Sequence, residues 1–161
     1  MSPSENQDEV FLRQAIDLAQ AKMLAGEGGP FGALIVRSGE VLAQGWNQVT
    51  TSNDPTAHAE VVAIRQAAAA AQTFQLNDCD LYTSCEPCPM CLGAAYWAGV
   101  RKIVFAASRQ DAAKGGFSDE FLYQELPKPL DQRQIPTYQL LGEEGWRPFE
   151  AWLAKEDRIQ Y

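Results

Sequence analysis

Apolar residues recur at helical spacing near the start of the chain. They stand at intervals of four, three and four residues, at Leu12, Ile16, Ala19 and Met23. This spacing places them on one helical face, so the pattern predicts a helix over residues 8–25. The glycine-rich residues 26–30 follow and end in proline, which predicts a helix end and a turn. They do not predict a phosphate-binding loop, because no strand precedes them.

Two short runs rich in strand-forming residues come next, at 31–36 and 41–46. The residues between them, 37–40, are typical of a hairpin connection, so the runs should pair as antiparallel strands. Further along, helix and strand patterns alternate as in α/β proteins, which predicts a parallel pair in the middle of the chain. The remaining strand candidates are 81–84, 102–107 and 137–141. The remaining predicted helices are 54–71, 89–98, 119–126 and 147–156, with loops over 47–53 and 111–116.

The composition is that of a compact protein with one core. Of the 161 residues, 46% are hydrophobic and 21% are charged. A chain of this length can bury a sizeable core without splitting, so we expect a single domain over residues 1–161. Thirteen Lys and Arg residues against 21 Asp and Glu residues give a net charge of −8. This charge disfavours nonspecific binding to nucleic acid.

Targeting signals are not evident in the sequence. The first ten residues lack the basic and apolar regions of a secretion signal, and no apolar run approaches the length that spans a membrane. Three of the four cysteines crowd into seven residues, at Cys85, Cys88 and Cys91. This crowding fits metal binding under reducing conditions better than a disulfide framework. We therefore expect a cytoplasmic protein that binds no membrane.

The candidate chemistry lies in one histidine and a pair of cysteines. His58 is the only histidine, and Cys88 and Cys91 form a Cys-x-x-Cys pair inside the run P-C-P-M-C. One imidazole and two thiolates are three ligands for zinc and leave the fourth tetrahedral position to water. The two cysteines share one face of the predicted helix and lie in its first turn, where the helix dipole favours thiolate. The pattern predicts one zinc ion per chain.

Cys85 leaves a second ligand set open. Cys85 and Cys88 are also spaced as Cys-x-x-Cys, so Cys85 could complete a closed, structural site with four protein ligands. A site with three protein ligands and one open position is favoured, because Cys85 precedes the predicted helix and because a closed site would leave Glu60 without a role. The fourth cysteine, Cys79, is expected to be a small buried side chain.

Glu60 is the candidate for proton transfer. A carboxylate beside a zinc-bound water can take its proton and return it to the substrate. On an ideal helix, however, residues two apart lie about 200° apart around the axis. His58 and Glu60 can therefore share a site only if the metal lies beyond the end of the helix.

The order His-Ala-Glu followed by Pro-Cys-x-x-Cys resembles the signature of zinc-dependent nucleobase deaminases. Around it, the segments 28–33, 50–60 and 82–94 are similar to those of the small bacterial guanine deaminases, within the cytidine deaminase-like superfamily. The likeness extends over nearly the whole chain, down to the terminal tyrosine.

The resemblance implies a three-layer α/β/α fold with a mixed five-stranded sheet. It implies hydrolytic deamination of guanine to xanthine and ammonia, with zinc on His58, Cys88 and Cys91 and with Glu60 as proton shuttle. It also implies a homodimer that exchanges its C-terminal segment, about 142–161, between subunits. The residues that it assigns to binding of the small purine substrate are Phe31, Asn47, Ala59, Trp97, Asp119 and Tyr161. Glu120 is an alternative to Asp119, because the family often has two successive acids in this loop.

Other functions share the same motif. A tRNA adenosine deaminase must grip an RNA backbone, which the charge of −8 and the lack of a basic tail disfavour, so no nucleic-acid partner is expected. A cytosine, other aminopyrimidine or aminotriazine deaminase is a further alternative. The non-enzymatic alternative is an interaction module with a structural zinc on Cys85, Cys88, Cys91 and His58.

Overall fold

The computed structural model describes residues 6–161. The chain divides into two compact units, Met1–Asp119 and Glu120–Tyr161. The helices of the first unit are α1 (Gln7–Leu24), α2 (Val49–Ser52), α3 (Ala59–Ala71), α4 (Pro89–Ala98) and α5 (Arg109–Lys114). Its strands are β1 (Gly32–Arg37), β2 (Glu40–Trp46), β3 (Cys79–Cys85) and β4 (Lys102–Ala107).

The strands form one mixed sheet in the order β2-β1-β3-β4. β1 pairs with β2 and with β3 in antiparallel fashion, whereas β3 and β4 run parallel. The predicted hairpin and the predicted parallel pair are both confirmed. Ser38 and Gly39 at the hairpin both have positive φ angles, 52° and 81°, as tight two-residue hairpin turns require.

Helices cover both faces of this sheet. On one face, Leu34, Val36 and Tyr82 pack against α1. On the other face, Ala33, Ile35 and Leu81 belong to a core shared with α3 and α4. Most of the helical residues in that second core are alanines, which lets the helices approach the sheet closely. The expected three-layer α/β/α architecture is thus present in this unit.

The buried face of α1 differs from the predicted one. Phe11, Ala15 and Ala19 are buried, whereas Ile16 and Met23 are 39% and 38% exposed. The helix lies so close to the sheet that a Cβ atom on Gly32 would come within 2.5 Å of the Ala15 carbonyl oxygen. Only small residues fit at such a contact, so the larger apolar side chains lie beside it.

Three expectations about connecting segments were wrong. The third helix starts at Ala59 rather than at Asp54, because Asp54 Oδ1 accepts hydrogen bonds from the amide and hydroxyl of Thr56 and forms a local turn instead. Within the predicted loop 111–116, α5 forms because Ser108 and Asp111 make a reciprocal capping box. The short helix α2 likewise occupies a predicted loop.

The second unit consists of α6 (Glu120–Glu125), a 3-10 turn (Leu130–Gln132) and α7 (Gly142–Ala154). The predicted strand over 137–141 is absent, and the sheet of the described residues has four strands, not the expected five. A strand needs a neighbour for its backbone hydrogen bonds, whereas residues 137–141 pair with no strand of the sheet and are all exposed. α7 begins five residues earlier than predicted.

No residue of 120–161 is buried, although this unit carries many large apolar side chains. Among the described residues, no helix is long and apolar enough to cross a membrane.

We predict that Gly45→Ala destabilises the protein by about 1–3 kcal/mol, the usual range for overpacking. A Cβ atom there would lie 2.3 Å from the Ala59 carbonyl oxygen and 2.5 Å from the Ala63 nitrogen, both backbone atoms of α3. Urea unfolding of the two proteins measures the difference. Gly93→Ala is the control, because its Cβ would meet nothing within 4 Å and alanine favours the α4 helix by about 0.5–1 kcal/mol. Equal stability of Gly45→Ala and the parent would contradict the close packing.

Candidate zinc and proton-transfer site

Two helix N-termini meet at the candidate site. His58 is the N-cap of α3 and Cys88 is the N-cap of α4, and both have extended backbones with ψ angles of 155° and 167°. Pro89 occupies the first turn of α4, where a missing N–H costs nothing. His58 precedes the helix and has an extended backbone, so the rotation of about 200° between residues two apart in a helix does not apply to His58 and Glu60. His58 and Glu60 are therefore not held on opposite sides of α3, as two residues at this spacing inside one helix would be.

The three predicted ligands come together. Their candidate ligand atoms all lie within 4.8 Å of one another. His58 Nδ1 is 3.6 Å from Cys88 Sγ and 3.5 Å from Cys91 Sγ. Tetrahedral zinc with ordinary Zn–N and Zn–S bonds separates a nitrogen and a sulfur ligand by about 3.6 Å. The donor set and its spacing therefore fit a zinc ion with one position left for another ligand.

Hydrogen bonds inside this cluster shift the ionisation of its members. The Cys91 thiol, and then His58, lower the pKa of Cys88 to about 4. The pKa of His58 is raised, mainly by its hydrogen bond to Cys88. The pKa of Cys91 is raised because its proton bonds to Cys88 and because it is buried. One thiolate is thus already favoured, and a bound zinc ion would favour the second.

Glu60 lies in the first turn of α3 and is only 6% exposed. Its Oε1 atom accepts a hydrogen bond of 3.2 Å from the Thr83 hydroxyl, on β3. Burial raises the pKa of the Glu60 carboxyl. A carboxyl with a raised pKa is better suited to take up and release a proton near neutral pH. Sequence reasoning missed Thr83, because no local signal joins a strand threonine to a distant glutamate.

Cys85 lies outside the cluster. It ends β3, and its thiol contacts the Ser108 carbonyl oxygen at 3.8 Å. Burial raises the pKa of Cys85 to about 11, which favours the neutral thiol over a metal-binding thiolate. The closed site with four protein ligands is therefore not formed by these residues. Cys79 is fully buried in β3, as predicted.

Asn47 and Phe31 are neighbours, and both lie close to the glycine turn at residues 28–29. Asn47 Oδ1 accepts hydrogen bonds from Gly29 N at 3.4 Å and from Val49 N at 3.2 Å. The Asn47 backbone also bonds to the Phe31 carbonyl oxygen. Gly28 is required here, since its φ is 155° and a Cβ atom would lie 1.6 Å from the Asn47 carbonyl oxygen. The amide of Asn47 is thereby held in one orientation.

Asp119 is half-buried at the end of the first unit. Partial burial raises the pKa of Asp119, and the nearby Cys88 and Glu86 raise it further. Arg109 acts in the opposite direction and lowers the pKa of Asp119. Glu120, the alternative acid, is exposed in α6 and accepts a hydrogen bond from Gln124. Phe117 lies two residues before Asp119 and packs edge-to-face on Phe31, with ring centroids 5.0 Å apart. The sequence analysis did not assign Phe117 to the site.

An apolar cleft of about 430 Å³ adjoins these residues within the first unit. Phe31, Cys85 and Phe117 line it, together with Ile16 and Met23 of α1. Ile16 and Met23, which are exposed on α1, therefore face this cleft, whose lining contains neither the three candidate ligands nor Glu60.

Three further residues were predicted to contact the substrate: Ala59, Trp97 and Tyr161. Ala59 has no exposed surface and packs in the core below His58. Trp97 is 75% exposed, and the buried face of α4 is formed by Cys91, Ala95 and Ala98. Tyr161 is 83% exposed in the second unit. The roles of these three residues stay predictions.

The fold and the ligand set define a class of zinc-dependent deaminases. The profile of the cytidine and deoxycytidylate deaminase zinc-binding region matches residues 5–107, and the chain belongs to this family. The resemblance inferred from the sequence motifs is confirmed.

Particular relatives narrow this class. The chain is 54% identical to guanine deaminase of Bacillus subtilis over 95% of its length and 98% of the relative. The crystal structure of that protein superposes with a TM-score of 0.93. Guanine deaminase from Nitrosomonas europaea has 35% identity, a TM-score of 0.66 and coverage of 76% and 68%. The chain is also 37% identical to a tRNA-specific adenosine deaminase of Haemophilus influenzae, over 71% of this chain and 65% of the length of that relative.

We predict that the purified protein contains one zinc ion per chain and that Cys88→Ser loses most of it, because two ligands hold the ion far less tightly than three. Elemental analysis of dialysed protein measures the stoichiometry. Cys85→Ser is the matched control and should keep its zinc. A Cys85→Ser protein without zinc would contradict the three-ligand site.

Proposed function

We propose that this protein is a zinc-dependent guanine deaminase that converts guanine and water to xanthine and ammonia. The observation that carries the proposal is the buried Glu60 carboxyl beside the His58–Cys88–Cys91 cluster, in a chain that matches a guanine deaminase over nearly its whole length. A purely structural zinc site would give the buried Glu60 carboxyl no role.

Zinc bound at these three residues supplies a Lewis acid that makes water nucleophilic near neutral pH. Glu60 is proposed to take one proton from the attacking water and pass it to the ring nitrogen of the purine. It would then take the second proton from the added hydroxyl and pass it to the amine, which leaves as ammonia. Thr83 holds one carboxylate oxygen of Glu60, and the other oxygen is proposed to move the proton. The burial of Glu60 keeps bulk water from competing for that proton.

Asn47 and Asp119 are proposed to recognise the base from its two polar edges. Because Asn47 Oδ1 is engaged by two backbone amides, its Nδ2 group is the one that donates, and a carbonyl oxygen or ring nitrogen of guanine is its partner. Asp119 accepts hydrogen bonds from guanine N–H groups. A ligand without those donors would leave a half-buried carboxylate unpaired. Phe31, with Phe117 against it, forms an apolar wall for the ring.

We propose further that the enzyme is a cytoplasmic homodimer of single-domain subunits that exchange residues of the second unit, including about 142–161. Two observations support the exchange. The second unit, Glu120–Tyr161, has no buried residue despite its many large apolar side chains, and the first unit carries an open apolar cleft. A second copy of the chain could cover both surfaces. Trp97, Ala59 and Tyr161 are proposed to contact the substrate in that dimer.

The relative that acts on tRNA carries the same motif, so tRNA is the competing substrate to exclude. The net charge of −8 opposes binding to an RNA backbone. We propose that a small purine, not a nucleic acid, is bound.

We predict that the zinc-loaded protein releases ammonia from guanine and forms xanthine, and that Glu60→Gln lowers kcat by at least about 100-fold while it keeps its zinc, because general acid–base catalysis contributes about that much or more. Xanthine formation followed by ultraviolet absorbance measures this. Cytosine, adenine and a tRNA anticodon stem-loop are tested beside guanine. Faster turnover of the stem-loop than of guanine would overturn the proposed substrate.

The exchange is tested by mixing two inactive variants. One is Glu60→Gln, and the other lacks residues 156–161 and retains Glu60. If the tail of one subunit completes the site of the other, refolding equal amounts of the two together makes about half of the dimers mixed, each with one complete site. Activity per chain should then return to about a quarter of the parent's. No recovery on mixing, or full activity of the truncated protein alone, would contradict the exchange.

A further inference from the structure

Residues 109–119 carry Phe117 and Asp119, which are proposed to bind the base. The start of this stretch is held by the segment that leads into the candidate metal ligand Cys88. We call residues 109–119 the purine loop. It begins with α5, continues through Gly115 and Gly116, and ends on Phe117 and Asp119. The position of its first residues therefore affects where the aromatic wall and the acid lie.

Glu86 holds the start of this loop through both its backbone and its side chain. Its amide donates to the Ala107 carbonyl oxygen at 2.8 Å. Its carboxylate Oε2 accepts a hydrogen bond of 3.0 Å from the amide of Arg109, the first residue of α5. The neighbouring Cys85 thiol contacts the Ser108 carbonyl oxygen at 3.8 Å. Three successive residues, Ala107 to Arg109, are thus bound by Cys85 and Glu86.

The charge of Glu86 strengthens this contact. An N–H at the start of a helix has no partner inside the helix and favours a negative group. A carboxylate acceptor makes a stronger hydrogen bond than a neutral one. By contrast, the bonds of Asp111 to Ser108 and Lys114 lie within the segment 108–114. They shape α5 but do not attach it to the metal-binding segment.

Glu86 also lies two residues before Cys88, in the connection from β3 to α4. The short connection from β3 to α4 therefore supplies both a candidate metal ligand, Cys88, and the residue that anchors the purine loop, Glu86. We infer that Glu86 is a positioning residue that sets the distance between the zinc-binding cluster and the base-binding groups Phe117 and Asp119. This inference rests on the proposed function for its substrate, but the anchoring itself does not depend on it.

The test compares Glu86→Ala and Glu86→Gln with the parent. We expect Glu86→Ala to keep one zinc per chain, to raise KM for guanine about tenfold and to leave kcat within about twofold, because the loop binds the base and takes no part in proton transfer. Glu86→Gln keeps an oxygen acceptor for Arg109 N, so its KM should rise no more than about threefold. Glu40→Ala, which removes an exposed acid at the hairpin, should change neither constant.

Amide hydrogen exchange supplies a readout that does not need turnover. Glu86→Ala should speed exchange in 109–119 and leave α3 and α4 unchanged, whereas Asp119→Asn should raise KM without speeding exchange in α5. Unchanged exchange and KM in Glu86→Ala, or loss of zinc from it, would overturn the inference. If the parent does not act on guanine, the proposed function fails, and faster exchange in Glu86→Ala would still support the anchoring.

Discussion

The convergence of two helix N-termini on one point is the constraint on which the site depends. α3 and α4 each start at a ligand residue with an extended backbone, so His58 and Cys88 lie just outside their helices while Glu60 and Cys91 lie inside them. This arrangement lets residues two or three apart in sequence face the same ion. It holds only while α3 lies close against β2, which the absence of a side chain at Gly45 allows.

A buried carboxyl next to thiolates is costly in isolation. Burial raises the pKa of Glu60, and Thr83 offsets part of the cost with one hydrogen bond. A divalent cation at the neighbouring cluster would offset much more of it. The same ion that activates water therefore also makes the ionised form of Glu60 tolerable, which links metal binding to the protonation state of the group that moves the proton.

Substrate choice lies outside the motif that defines the family. A guanine deaminase and a tRNA-specific adenosine deaminase both match this chain, so the match to the family does not by itself select the substrate. In the proposed function, the choice of base is made by the groups around the cluster: the held amide of Asn47, the carboxyl of Asp119 and the aromatic pair of Phe31 and Phe117. These groups belong to loops, whose positions depend on anchors such as the contact between Glu86 and Arg109.

The sequence by itself determined the hairpin, α4, β4 and the three candidate ligands, because proline, glycine and spacing act within a few residues of chain. It misplaced the buried face of α1, since alanines signal weakly in sequence but alone fit a helix pressed onto Gly32. It also expected a strand at 137–141, where no partner supplies the hydrogen bonds. Only the tertiary structure decided that Cys85 stays outside the cluster and that Thr83 and Glu86 support it, because those contacts join segments whose approach no local pattern encodes.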